Sequence, residues 1–161
     1  MSDLSSLLIR SADDGDSAAL IALITGAFAE YPDSSFDVHA EMPELQAPAT
    51  AIRKVEGRWW VAEDDDGIIA SVAVEPAADG IIEMKKLYIA STSRRRGLGA
   101  HLVTLAESEA RFRGAATMEL WTDARFEDAH RLYERMGYRR TDRTRQFKHM
   151  TDYHYTKDLR R

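Results

Sequence analysis

The run Arg94-Arg95-Arg96-Gly97-Leu98-Gly99-Ala100 sets three cations and two closely spaced glycines between an apolar, strand-like segment and a helix-like one. A strand that turns through glycine into a helix leaves the first N–H groups of that helix unpaired and aims them at one point. The helix macrodipole adds partial positive charge there, so the spacing predicts an anion site, usually one for phosphate. Two common phosphate loops fail on spacing. A dinucleotide fingerprint beginning at Gly97 needs glycine where Leu102 stands, and no Gly-Lys-Ser or Gly-Lys-Thr occurs. There is no G-x-S-x-G elbow and no H-E-x-x-H helix. The chain also lacks cysteine, which removes thiolate ligands, cysteine nucleophiles and disulfides.

The elements that must position this turn follow from the patterning. A length of 161 residues suggests one domain, 1–161, large enough for a substantial core. Leu7 to Arg10 reads as a short strand, and Ala12 to Asp16 as a turn in which Asp16 caps a helix from about Ser17 to Tyr31. Leu20, Leu23, Ile24, Ala27 and Phe28 give that helix its apolar face, and Pro32 ends it. Beyond it the patterning is irregular, with a short helix expected around Phe36 to Leu45. Arg58–Glu63 and Ile68–Glu75 flank Asp64-Asp65-Asp66-Gly67, a hairpin signal. A loop from Pro76 to Gly80 leads to a strand from Ile81 to Ile89, then to the glycine turn and a helix from Gly97 to Arg113. Thr117 to Thr122 is a further strand, Phe126 to Met136 a further helix, and a terminal hairpin turns between Lys148 and Asp152. The order is that of a mixed α+β fold on one central sheet.

Charge narrows the ligand. The 22 basic and 27 acidic residues leave a net −5, against the basic excess of nucleic-acid modules. Arginine is nonetheless concentrated at 94–96 and at Arg139, Arg140, Arg143 and Arg145, which suits a small anionic molecule. No apolar window approaches a membrane span, and Leu7-Leu8-Ile9 is too short for a signal core. The expectation is a cytoplasmic protein with no membrane partner.

The segment Leu87-Tyr88-Ile89-Ala90-Ser91-Thr92-Ser93-Arg94-Arg95-Arg96-Gly97-Leu98-Gly99-Ala100 resembles motif A of the GCN5-related N-acetyltransferase (GNAT) superfamily, whose Q/R-x-x-G-x-G/A signature follows an apolar strand end. Downstream, Ala129-His130-Arg131-Leu132-Tyr133-Glu134-Arg135-Met136-Gly137-Tyr138 resembles that family's A-x-x-L-Y-E-x-x-G-F/Y motif, in the same order and with a strand between. The resemblance implies a three-layer fold, with a mostly antiparallel twisted sheet of about six or seven strands and helices on both faces. It also implies acetyl-CoA as acyl donor and no metal. The amides from Arg95 to Ala100 would hold the pyrophosphate, Gly97 and Gly99 allowing close approach. Arg94, Arg95 and Arg96 would add charge. The backbone of Leu87, Tyr88 and Ile89 would pair with the pantetheine arm like an added strand.

Two catalytic roles are implied with it. Tyr133 occupies the position whose phenol lies near the CoA sulfur, that of a general acid. Glu83, 11 residues before Arg94, matches the glutamate base of histone-acetylating members. An amine of pKa about 10.4 has to lose a proton before it attacks, so a base is needed. A surface or packing role is expected of His130 ahead of a proton relay or a CoA contact, and Trp59, Trp60 and Trp121 read as core or pocket walls. One departure stands out: many members carry asparagine where this chain has Phe126, leaving that contact absent or supplied by Thr122, Asp123 or Arg125.

The function expected from the resemblance is acetyl transfer to a primary amine by direct attack in a ternary complex, with a small-molecule acceptor. A protein lysine or N-terminal acetyltransferase is the alternative, and a non-catalytic acyl-CoA sensor a second. A homodimer is the family analogy.

Overall fold

A computed structural model describes residues 4–31 and 36–160. The strands are β1 (Leu8–Ser11), β2 (Arg58–Asp64), β3 (Gly67–Ala78), β4 (Ile81–Ile89), β5 (Thr117–Asp123), β6 (Arg139–Phe147) and β7 (Met150–Asp158). The helices are α1 (Ser17–Phe28), α2 (Val38–Glu41), α3 (Pro48–Lys54), α4 (Leu98–Phe112) and α5 (Glu127–Arg135). The strands form one sheet in the order β1-β2-β3-β4-β5-β7-β6, antiparallel except for β4 against β5. Seven strands with helices on both faces match the expected architecture.

β2 and β3 are almost continuously apolar because both sheet faces are covered. Successive side chains of a strand point to opposite faces. Trp59, Val61 and Ala73 therefore join a core with Leu20, Leu23, Ile24 and Phe28 of α1. Their neighbours Trp60, Ala62, Val72 and Val74 join the opposite core, with Leu98, Leu102, Val103 and Ala106 of α4. The five apolar positions expected on α1 are the ones it buries.

Several local expectations need correction. Asp16 makes no side-chain cap on α1. Asp13 caps a short 3-10 turn over Asp14–Asp16, Asp16 accepts from the Asp13 N–H (2.8 Å), and its carboxylate is held bidentately by Arg10 (2.9 Å each). The burial cost of Asp16 is met by that guanidinium, which keeps its carboxyl below the usual range. The helix expected over Phe36–Leu45 is replaced by α2 and a 3-10 turn at Pro43–Gln46. α3 follows, started by Pro48 in its first turn, where a missing N–H costs nothing. β3 runs through Pro76 to Ala78, so the loop there is confined to the turn before Ile81. Pro32 lies outside the described residues, and α1 ends at Phe28, short of Tyr31. Among the described residues no helix is long and apolar enough to cross a membrane.

The core-facing side of α4 carries one acid, Glu107, almost fully buried. It accepts from the Tyr138 hydroxyl (2.7 Å) and from Lys157 Nζ (3.0 and 3.2 Å), joining α4 to the last strand. Removing one partner of such a cluster strands the others. Glu107→Ala is expected to cost about 2–3 kcal/mol, because Lys157 retains some water access. Urea unfolding monitored by tryptophan fluorescence measures the loss. Glu107→Gln, which still accepts from Tyr138, is expected to lose less.

Candidate active site

The parallel β4–β5 ladder runs from Ile81↔Thr117 to Met84↔Leu120 and stops, while β5 stays paired with β7 as far as Asp123↔Asp152. The upper halves of β4 and β5 therefore diverge. The cause lies in β4, where the register against β3 slips between Ala73↔Lys85 and Ser71↔Tyr88, and Lys86 sits at φ 59°. That is a bulge, which bends the strand that carries it. It is propped from behind: Trp59 Nε1 donates to Ser71 Oγ (2.9 Å), and Ser71 Oγ donates to the Lys86 carbonyl (2.8 Å). From the other side Lys86 Nζ reaches Glu44 (2.8 Å). Burial pulls the Lys86 ammonium below its usual range despite that pairing.

Two clefts of about 380 Å³ each open at the divergence and share Leu87, Tyr88, Phe126 and Ala129. The first is lined by Leu87, Tyr88 and Ile89 from β4, Arg94, Arg95, Gly97, Leu98, Gly99 and Ala100 from the turn, and Leu132 from α5. Gly97 is at φ 79° and precedes α4 without a side chain to cap it; His101 N–H closes the first turn on the Gly97 carbonyl (3.1 Å). The N–H groups of Leu98, Gly99 and Ala100 have no partner among the described residues, so a 15-residue helix points its positive end into the cleft.

Both glycines line the cleft, and each has a structural task besides. Gly97 supplies a left-handed backbone with open space where a Cβ would be. At Gly99 a Cβ would meet Leu132 Cδ2 at 2.9 Å and Ile89 Cδ1 at 3.1 Å, so its bareness lets α4 pack against α5 and β4. The arginines also divide. Arg94 is already engaged: its guanidinium forks onto Glu30 at 2.6 Å to each oxygen, and Nε donates to the Ile89 carbonyl (3.1 Å). It braces the turn against β4 and the residues after α1. Arg95, at φ 64°, lines the cleft, whereas Arg96 does not, and its Nε is buried without a partner among the described residues.

The second cleft contains both Glu83 and Tyr133. Glu83 stands in a row of carboxylates, opposite Glu75 of β3 and Glu119 of β5. Glu75 binds Lys85, and Glu119 accepts from His154 (2.9 Å). Glu83 has neither ion pair nor hydrogen bond among the described residues. Burial raises its carboxyl above the usual range, reinforced by Glu75 and Glu119 and opposed by Lys85 and Arg145. The Tyr133 phenol is raised by burial and by neighbouring Tyr155, so it stays protonated at neutral pH. Its hydroxyl makes no hydrogen bond to any described residue.

The remaining residues take structural places. His130 is buried between Tyr153 and Tyr155, with Nε2 3.0 Å from the Asp123 carbonyl, and ties α5 to the end of β5. Phe126 packs its ring on Phe28 and Tyr31 (5.3 Å each) and faces both clefts, an aromatic partition between them. Thr122 and Asp123 line the second cleft, and Arg125 is bound to Asp123 (2.8 Å). Trp121 is a wall of the second cleft, while Trp59 and Trp60 are core.

The model of the acetyltransferase (GNAT) family matches residues 19–138, from within α1 through the end of the second motif. Probable N-acetyltransferase 14 of Xenopus tropicalis is 32% identical over 84 residues, 52% of this chain and 41% of that relative. The chain spans about half the length, or less, of most of the curated relatives it matches. A GNAT-family acetyltransferase from Staphylococcus aureus Mu50 superposes with a TM-score of 0.85 at 16% identity, over 96% of this chain and 99% of that one. The acetyltransferase yncA of Salmonella typhimurium, solved with acetyl-CoA, superposes at 0.71 and 19% identity, over 96% and 94%. The bulged strand, the uncapped helix start and the matched stretch coincide along most of the sequence, and the chain belongs to the acetyltransferase (GNAT) family.

Proposed function

We propose that the protein transfers the acetyl group of acetyl-CoA to a primary amine, both substrates being bound together, and that the amine is a small molecule. The observation that carries this is the meeting of the two clefts at Leu87, Tyr88, Phe126 and Ala129. An uncapped helix start lines one, and an unpaired carboxyl and a protonated phenol line the other. The first cleft suits the donor: the Leu98–Ala100 amides and Arg95 face the pyrophosphate, and the β4 edge at Leu87–Ile89 faces the pantetheine arm.

Acetyl-CoA, when bound, supplies the thioester carbonyl to which the amine nitrogen bonds as the C–S bond breaks. Glu83 takes a proton from the incoming ammonium, directly or through one water, leaving the lone pair free to attack. Tyr133 gives its proton to the departing sulfur and recovers one from the nitrogen as the amide forms. The balance is one amide, one thiol and one released proton. Both residues are suited by environment, Glu83 as a base stronger than an ordinary carboxylate and Tyr133 as an acid that neutral pH does not ionise.

A small acceptor is favoured over a protein lysine by the roof of the second cleft. Lys148 in the β6–β7 turn is paired with Glu41 of α2, and the Phe36 and Phe147 rings meet edge-on at 6.1 Å. Phe36, Glu41 and Phe147 line that cleft, so these contacts tie its wall on the α2 side to the β6–β7 hairpin and narrow the room for an extended peptide. Thiol release from acetyl-CoA across small amines, lysine peptides and N-terminal peptides tests the reading. Amine-dependent release and an N-acetylated product are expected with small amines. Release only with peptides would transfer the activity to protein acceptors. No release with any acceptor despite CoA binding would leave a sensor.

A further inference from the structure

The charge state of the second cleft points to a narrower acceptor class. We infer, resting on the acetyltransferase reading, that the acceptor is a primary monoamine with an apolar or aromatic body, carrying neither a second cation nor a carboxylate. The wall is aromatic, formed by Phe28, Phe36, Tyr88, Trp121, Phe126 and Phe147. Charged side chains also reach it, but all except Glu83 are paired with an opposite charge. Glu41 is paired with Lys148, Glu44 with Lys86 (2.8 Å), Asp123 with Arg125 (2.8 Å), Asp152 with Arg145 (2.9 Å), and Lys85 with Glu75. Among the described residues lining this cleft, Glu83 is the one charged group without an ion pair.

The consequence is a count of vacant partners. One ammonium can be received, at Glu83. A second ammonium on the same molecule finds each other carboxylate taken, and a substrate carboxylate finds Lys85, Lys86 and Arg145 taken. Either group would be desolvated against aromatic rings without compensation or would have to break an existing pair, and both routes cost free energy. An apolar body of matching size gains by burial against the same rings. Selection against the wrong acceptor thus resides in ion pairs that never touch the right one.

Two matched pairs of acceptors test this. Hexylamine and 1,6-diaminohexane differ by one ammonium; 2-phenylethylamine and phenylalanine differ by one carboxylate. With saturating acetyl-CoA, kcat/KM is expected to be at least about tenfold higher for the first member of each pair. Equal or better turnover of the diamine or the amino acid, with acetylated product confirmed by mass, overturns the acceptor class and leaves the acetyltransferase reading standing. No product from any amine, with CoA bound by calorimetry, overturns both. Arg145→Gln supplies a second arm, since it frees Asp152 to receive a cation. The diamine-to-monoamine ratio of kcat/KM is expected to rise at least about fivefold, and an unchanged ratio counts against the paired charges as the filter.

Discussion

Glu83→Gln is expected to lower kcat/KM for the amine by about 10²- to 10³-fold, the range of a lost general base. The acid limb of the pH–rate profile should disappear with it. Glu83 accepts a proton only as carboxylate, and burial raises its carboxyl above the ordinary range. In the parent protein activity should therefore rise with pH through a pKa above that of a free glutamate. The same shift has a stability consequence of definite sign. A carboxyl whose folded pKa exceeds its unfolded pKa binds more protons when folded, so it subtracts stability as pH rises between the two values. At neutral pH Glu83 is thus a cost to the fold, and the glutamine variant should melt no lower than the parent. Loss of activity without loss of melting temperature separates a base from a structural strand residue. A variant that keeps the acid limb would remove Glu83 from the mechanism.

What local sequence could reveal divides along a physical line. The alternation of Trp59-Trp60-Val61-Ala62, the apolar spacing of α1 and the hairpin at Asp64–Gly67 are set by neighbours two to four residues apart, and these elements lie where the pattern puts them. The glycine turn was legible for the same reason. What decided each glycine's task was not, because the Gly99 constraint comes from Leu132 and Ile89, 33 and 10 positions away. The same holds for Arg94, spoken for by Glu30, and for Glu107, an acid on an apolar helix face whose partners Tyr138 and Lys157 come from the end of the chain. The bulge at Lys86 is the extreme case. A lysine gives no sign of a left-handed backbone, and what holds it is a hydrogen-bond chain through Ser71 and Trp59 on two other strands. That bulge lies where the two clefts meet, yet it leaves no mark in the β4 sequence.

Tyr133→Phe is expected to reduce kcat by about 10²-fold while KM for acetyl-CoA changes little, since the role proposed for the phenol is toward the departing sulfur and not toward the bound nucleotide. Losing a buried hydroxyl usually strands its hydrogen-bond partner. Here the Tyr133 hydroxyl has no partner among the described residues, and its ring keeps its packing on Tyr138 and Tyr155 (6.0 and 5.8 Å). The variant should therefore match the parent in melting temperature, and the loss in kcat can be read as chemistry. A thioester donor with a more acidic thiol supplies the decisive contrast. A leaving group that needs no proton makes the phenol dispensable, so the gap between parent and variant should shrink with that donor. A gap of the same size with both donors would assign Tyr133 to positioning, and a parent-like kcat with acetyl-CoA would remove it from the reaction. Because burial holds the phenol protonated well past neutrality, the parent should also show no loss of activity between pH 7 and 9 that the phenylalanine variant lacks.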